Sequence, residues 1–381
     1  MKPKIIRIAT VAMSLNLLLR GQLKFLNQFF DIKAVSGYDT DLEMVKKREG
    51  VQIIDLKMER KIAPVKDSIA LIKLYFLFKS EKPTVVHSIT PKAGLLSMIA
   101  AKYAGVPIRM HTFTGLIFPS KKGFMKKILI LMDKILCFHA THIYPEGKGV
   151  QQDLLSYKIT HKPLKILANG NVNGVDLDYF NPNDISEDVK NELSKKLGIN
   201  KNDFVFLFVG RLVKDKGINE LVTAFTKIQD ENVKLVLVGP FEQDLDPLSP
   251  EVYFEIKNNK NIISVGFQTD VRPYMAISQA LVFPSYREGF PNVVLQAGAM
   301  ELPAIVSDIN GSNEIITHNK NGIIIPVKNS DAIFASMIAI RDRKLYPFLK
   351  SNSRERIVSA FNQNVVWQSL LNEYNSLIDN V

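Results

Sequence analysis

Apolar residues along this chain fall into short unbroken runs that alternate with longer stretches at helical spacing. Ile5–Ala12 opens the series as a strand, followed by a helix near Gly21–Phe30 and strands at Ile32–Val35 and Val51–Asp55. Asp67–Phe78 reads as a helix and Thr84–His87 as a short strand ending in a polar group. Ala93–Ala104 is a helix closed by Gly105, and Val106 to about Thr112 is the next strand. Ile143-Tyr144 and a helix near Gly149–Tyr157 complete this half. A polar run, Asn181–Asn202, then interrupts the rhythm and holds one helix near Ser186–Leu197.

The pattern restarts beyond it. Phe204–Val209, Lys234–Val238, Ile262–Val265, Ala280–Phe283, Ala304–Ser307 and Gly322–Ile325 are six candidate strands, with a helix at Ile218–Ile228. Alternation of this kind predicts α/β architecture with parallel, doubly wound sheets. Val366, Leu370, Tyr374 and Leu377 share one helical face near the end of the chain, with Trp367 and Leu371 beside them.

A length of 381 residues fits two domains. The single cysteine, Cys137, excludes an internal disulfide and fits a reducing compartment. No stretch of about 18 apolar residues lacks charges, so no spanning helix is predicted. Lys2, Lys4 and Arg7 precede the apolar run Ile8–Leu19 in the order of a secretory signal. Ser14 and Asn16 interrupt that run, however, and Arg20-Gly21-Gln22 offers no cleavage site, so a first strand is expected. Charge is uneven. Residues 1–182 carry 28 Lys and Arg against 14 Asp and Glu, whereas residues 183–381 carry 21 against 24. A basic first half suggests an acidic partner: anionic lipid, a diphosphate or nucleic acid.

The most informative stretch is Pro284–Ala297. A buried strand leads into a loop with a carboxylate, a glycine and two prolines. Asn292 is placed to cap a helix from Val293 to about Met300. Loops between parallel strands and helix N-termini bind anions, because free N–H groups and the helix dipole point there. Glu288 would repel a phosphate and instead suits sugar hydroxyls. Arg211 and Lys216 lie in a glycine-bounded loop after another strand, where two cations suit a diphosphate. A solvated basic turn is the plain alternative.

Glu288-Gly289-Phe290-Pro291 resembles the first half of the Glu, seven residues, Glu motif of retaining glycosyltransferases of GT-B fold, especially the large family-four group. The likeness covers most of the chain and is stronger in its second half. Asn173–Asp176 resembles the segment that ends the first GT-B domain. The resemblance implies two Rossmann-like, doubly wound domains facing across a cleft. Residues 1–182 would bind the acceptor and 183–362 the donor, with a C-terminal helix in 363–381 crossing back to the first domain.

In that frame Glu288 would contact the donor sugar, and Arg211 and Lys216, after Gly210, the donor diphosphate. Gln296 falls where the family has its second Glu on the ribose; a glutamine accepts through its carbonyl but lacks a second carboxylate oxygen. Phe267 and Asp270–Tyr274 resemble the region around the base, or are an ordinary loop and helix start. Gly289, Phe290, Pro291 and Asn292 would shape the donor loop, and Gly311–Glu314 resembles another loop beside it. The implied donor is a UDP-sugar and the implied reaction is transfer with retention, with no cofactor and no metal. Thr90–Gly94 and Phe113–Phe118 look like enzymes of capsular, O-antigen or lipid-linked glycan synthesis. These extend a sugar on polyprenyl diphosphate at the inner face of the cytoplasmic membrane. A UDP-sugar epimerase of the same architecture is the alternative enzyme.

The first half carries weaker signals. His87 and His111 end strands, as cleft residues or as satisfied structural histidines. Many family members have His where Thr114 stands, so no catalytic His carries over there; Lys92 and Thr114 join the acceptor candidates. Lys121, Lys122, Lys126 and Lys127 cluster beside Phe124, Met125, Ile128 and Leu129, as a helix on an anionic membrane or as a core helix with solvated lysines. Cys137, His139 and His142 match no common metal spacing. Asp176-Leu177-Asp178 and Asp244-Leu245-Asp246 mimic a metal-binding Asp pair outside its expected context. The basic segments lack the interleaved aromatics of single-strand binders, so no nucleic-acid partner is expected.

Overall fold

The computed structural model describes residues 2–242 and 246–380 and, within them, two six-stranded parallel sheets. The chain divides at Gly174 and again at Asn362 into two compact units. The first runs to Gly174 and resumes at Gln363; the second is Val175–Asn362.

In the first unit the strands are β1 (Lys4–Ile8), β2 (Asp31–Ser36), β3 (Gln52–Asp55), β4 (Val85–Ser88), β5 (Ile108–Phe113) and β6 (His142–Pro145), in the order β3-β2-β1-β4-β5-β6. In the second they are β7 (Phe204–Val209), β8 (Val233–Val238), β9 (Ile262–Gly266), β10 (Ala280–Phe283), β11 (Ala304–Ser307) and β12 (Gly322–Ile325), in the order β12-β11-β10-β7-β8-β9. Each sheet therefore reverses its winding once, between β1 and β4 and between β7 and β10. In open α/β sheets ligands bind at such switch points, outside the carboxyl ends of the strands.

Strands such as Phe204–Val209 are apolar at every position because helices cover both faces of the sheet. One core cluster fills the second unit, and two lie on the two faces of the first sheet. The C-terminal helix Gln363–Ile378 belongs to the first unit and buries Val366, Leu370, Leu371 and Tyr374.

Three readings are corrected. The strand expected over Ile5–Ala12 stops at Ile8, and a helix begins at Ala12. Thr40–Glu49 is an unforeseen helix; only Leu42 and Val45 give it apolar periodicity, while Asp39 caps it by accepting from Leu42 N at 3.0 Å. The division falls at Gly174, not at residue 182. The eight residues after it pack into the second unit, where Val175 N donates to Phe361 O at 2.9 Å and Arg354 donates to the carbonyls of Leu177 and Phe180.

Candidate active site

β7 ends at Val209, and the chain passes through Gly210, Arg211 and a tight turn, Lys214–Lys216, into the helix Ile218–Phe225. Gly217 joins the turn to that helix with φ +71°, and a Cβ there would overlap the Pro284 carbonyl oxygen. Only glycine lets the loop after β7 lie against the loop after β10. Gly311, after β11, plays the same part: φ is +74°, and a Cβ would stand 2.6 Å from Phe290 Cα. Three loops at the carboxyl edge, around the β7/β10 switch point, are thus locked backbone to backbone.

Side chains brace them further. Tyr286 N donates to Asp215 O at 2.9 Å, Arg287 pairs with Asp215 at 2.9 Å, and Asp215 N donates to Asp246 Oδ2 at 2.6 Å. The Tyr286 hydroxyl donates to Glu220 at 2.7 Å; burial first, then that bond, pushes its pKa up.

Within this frame Lys216 Nζ forms an ion pair with Glu288 Oε1, and Ser285 Oγ donates to the same oxygen at 2.7 Å. Lys216 is 17% exposed and Glu288 16%, recessed yet reachable. Arg211 is half-exposed and pairs with Glu242 at 2.6 Å. Phe290 is buried, its ring 5.5 Å from Phe361, so it anchors the Glu288 loop in the core. The helix Asn292–Ala299 follows. Pro291, not Asn292, holds its cap position, and Asn292 is its first residue, which corrects the expected Val293 start. Gln296 lies one turn on, half-buried on the same face as Asn292, with an amide unpartnered among the described residues.

The two base-region candidates separate. Phe267 is 70% exposed just beyond β9. Tyr274 is buried in the core of the second unit on the helix Arg272–Ala276, and burial pushes its hydroxyl pKa up; it is a packing residue, not a displayed one.

The two histidine candidates of the first unit are also corrected. His87 is buried with both ring nitrogens occupied, Nδ1 by the Tyr374 hydroxyl at 2.7 Å and Nε2 by Thr112 Oγ1 at 2.8 Å. His111 is buried too, bonded through Nδ1 to Ser88 at 2.8 Å. Burial pulls its pKa down to about 3, and burial, then the Arg7 charge, holds His87 well below the ordinary value. Both are neutral structural groups. Lys92 is an interior cation paired with Asp67 at 2.8 Å, and Thr114 Oγ1 donates to Ile89 O at 2.9 Å.

Lys121, Lys122 and Lys127 are exposed at and before the start of the helix Gly123–His139, beside exposed Phe124 and Met125. Lys126 departs from the group: its ammonium donates to the Tyr157 hydroxyl at 3.0 Å. Asp176 turns the chain by accepting from the N–H groups of Asp178 and Tyr179, at 3.1 and 2.9 Å, while Asp244 and Leu245 lie outside the described residues. Among the described residues no group of three His, Cys, Asp or Glu could hold a metal ion.

Two Rossmann-like units, one with a lysine–carboxylate pair at its switch point, define the GT-B class of sugar-transferring enzymes. The family pattern of glycosyl transferases group 1 matches residues 189–357, and that of glycosyl transferase 4-like proteins residues 7–145. The chain is 32% identical to the capsular polysaccharide biosynthesis glycosyltransferase CapM of Staphylococcus aureus, over 98% of this chain and 97% of that one. It is 31% identical to the UDP-Gal:alpha-D-GlcNAc-diphosphoundecaprenol alpha-1,3-galactosyltransferase of Escherichia coli, over 80% and 78%. A glycosyltransferase structure from Rickettsia africae superposes with TM-score 0.82 at 21% identity, covering all of both chains. Anabaena HepE in complex with UDP-glucose does so with TM-score 0.82 at 18% identity, over 98% and 99%. The chain belongs to the group 1 glycosyltransferases.

Proposed function

We propose that this enzyme transfers a hexose or N-acetylhexosamine from a UDP-sugar to a saccharide on polyprenyl diphosphate, with retention of configuration, in bacterial surface polysaccharide synthesis. The observation that carries this reading is the Lys216–Glu288 pair at the β7/β10 switch point. The relatives supply the substrate class, since one is named for a UDP-galactose donor and a diphosphoundecaprenol acceptor.

In this reading an incoming diphosphate draws Lys216 away from Glu288 and Arg211 away from Glu242. The freed Glu288 oxygen then accepts from the donor sugar's hydroxyls. Gln296 accepts from a ribose hydroxyl through its carbonyl, and Phe267 lies beside the base. As the bond from the anomeric carbon to the diphosphate oxygen breaks, the two cations stabilise the charge that UDP gains. The acceptor oxygen bonds to that carbon on the same face, and its proton passes to a diphosphate oxygen. Lys216, Arg211 and the N–H groups of the Asn292–Ala299 helix supply the counter-charge without a metal.

Exposed Lys121, Lys122 and Lys127 beside Phe124 and Met125 support peripheral attachment to an anionic membrane. No described helix is long and apolar enough to cross one. A panel of nucleotide-sugars tests the donor: UDP-sugars should raise the melting temperature and support transfer to a polyprenyl-diphosphate saccharide. Stabilisation by no nucleotide-sugar, or conversion of UDP-GlcNAc alone to an epimer, would overturn the reading.

A further inference from the structure

The first unit holds a cavity of about 330 Å³ at its own switch point. Thr10 and Val11 follow β1, Thr90 and Lys92 follow β4, and Phe113 ends β5. The helix Gly123–His139 closes one side with Leu129, Met132 and Asp133, and Arg60 and Ile62 stand on another. Most polar groups of the wall serve the fold. Thr10 and Thr90 bond each other at 2.9 Å, and Lys92 is bound to Asp67. Two charged groups are left over. Asp133 is 9% exposed with no hydrogen bond or ion pair among the described residues, and Arg60 is exposed and equally unpaired.

A nearly buried carboxyl without a partner is costly and rare, so it points to a ligand that completes it. Beyond Arg60 and Ile62 the helix Pro64–Glu81 carries Val65, Ile69, Ile72 and Phe76 on one face, each between 49% and 75% exposed. From inside outwards the order is interior carboxyl, cation, apolar stripe. A polyprenyl diphosphate saccharide has the same order: sugar, diphosphate, isoprenoid.

We propose that this pocket is the acceptor site, with Asp133 accepting from a hydroxyl of the acceptor sugar, Arg60 on the diphosphate and the isoprenoid laid along Val65, Ile69, Ile72 and Phe76. The assignment rests on the glycosyl-transfer reading above and specifies its acceptor. Apolar walls such as Val11, Phe113 and Leu129 suit the C–H faces of that sugar.

The test uses the full chain and two kinds of probe, farnesyl diphosphate and a panel of glycosyl diphosphofarnesols carrying glucose, galactose, GlcNAc or GalNAc. Calorimetry should show at least one glycosylated probe binding more tightly than farnesyl diphosphate. Asp133→Asn and Asp133→Ala should remove that advantage, roughly ten- to a hundredfold, and leave farnesyl diphosphate binding unchanged. Arg60→Ala should weaken both kinds of probe. UDP-sugar binding by the same variants should be unaltered, which also shows that they are folded. The proposal is overturned if no glycosylated probe exceeds farnesyl diphosphate, or if Asp133 and Arg60 variants bind the probes as wild type does. A chain that binds UDP-sugar normally under either result loses only this assignment. A chain that binds the probes but no nucleotide-sugar loses the donor reading instead.

Discussion

Lys216 and Glu288, 72 residues apart in sequence, form an ion pair beneath the locked loops after β7 and β10. In the proposed reaction the pair has two uses. It neutralises a recessed carboxylate before the donor binds, and it breaks to yield one charge for phosphate and one for sugar. Reversing it, with Lys216→Glu and Glu288→Lys together, separates those uses. The double variant should melt close to wild type, because a pair is still present. Transfer should fall by about a hundredfold or more, because each charge then faces the wrong ligand. Near-normal transfer by the reversed pair would reduce both residues to structural supports.

Gly217 tests the frame rather than the charges. Alanine there needs φ +71° and must displace the Pro284 carbonyl. The left-handed conformation costs about 1 kcal/mol, and moving backbone adds to it, so a loss of roughly 2–4 kcal/mol is expected. Urea unfolding of Gly217→Ala measures it, and Gly50→Ala is the control. Gly50 has φ +66° with nothing within 4 Å of a built Cβ, so its loss should stay near the conformational cost alone. Equal losses would mean that the two loops do not depend on contact.

What was legible in the sequence differs between the units. Glu288, Lys216 and Gly217 sit where unbroken apolar runs stop and glycines begin, and those changes in pattern mark strand ends directly. His87 also ends a strand, but its fate depends on Tyr374, which covers it from 287 residues away. No local pattern reports that cover. Tyr274 and Met275 face the core because of the turn of a five-residue helix, too short for its phase to be read beforehand. Asp133 carried a faint signal: it is the one acid in the helix Gly123–His139, otherwise basic and apolar. An isolated charge within an amphipathic run reads as solvent-facing until the fold shows it buried.

Gln296 offers a gain-of-function measurement. Its amide is unpartnered among the described residues and one helical turn from Asn292, where the motif that this loop resembles has its second Glu. Gln296→Glu should tighten UDP and UDP-sugar binding by roughly three- to tenfold, since a carboxylate accepts from two ribose hydroxyls with charge assistance. Titration with UDP and with uridine should show the same factor, because the proposed contact is to ribose. A gain seen with UDP alone would place residue 296 near the phosphates.

Asp133 and the two buried histidines impose opposite pH dependences on stability. Burial raises the Asp133 pKa to about 7, so between roughly pH 4 and 7 the folded chain keeps a proton that the unfolded chain has lost. Stability from this group therefore falls as pH rises, by up to about 1.4 kcal/mol per pH unit. Of the charged groups lining the same cavity, Lys92 is tied to Asp67 and Arg60 is exposed at the mouth. The nearby Cys137 thiol, pushed up to about 12 by burial, stays neutral throughout. His87 and His111 act the other way. Their folded pKa values are depressed, so below about pH 6.5 the unfolded chain binds protons that the folded chain refuses, and stability falls as pH drops. In wild type the carboxyl partly cancels the histidines between pH 4 and 6.5. Asp133→Asn removes the cancellation. Its advantage over wild type should be small near pH 4.5, grow to pH 7 and hold level above, while its own acid loss becomes steeper. Urea midpoints of both chains at half-unit steps from pH 4.5 to 8 measure this, and a constant difference across the range would show that the carboxyl is ionised in the folded protein and has found a partner.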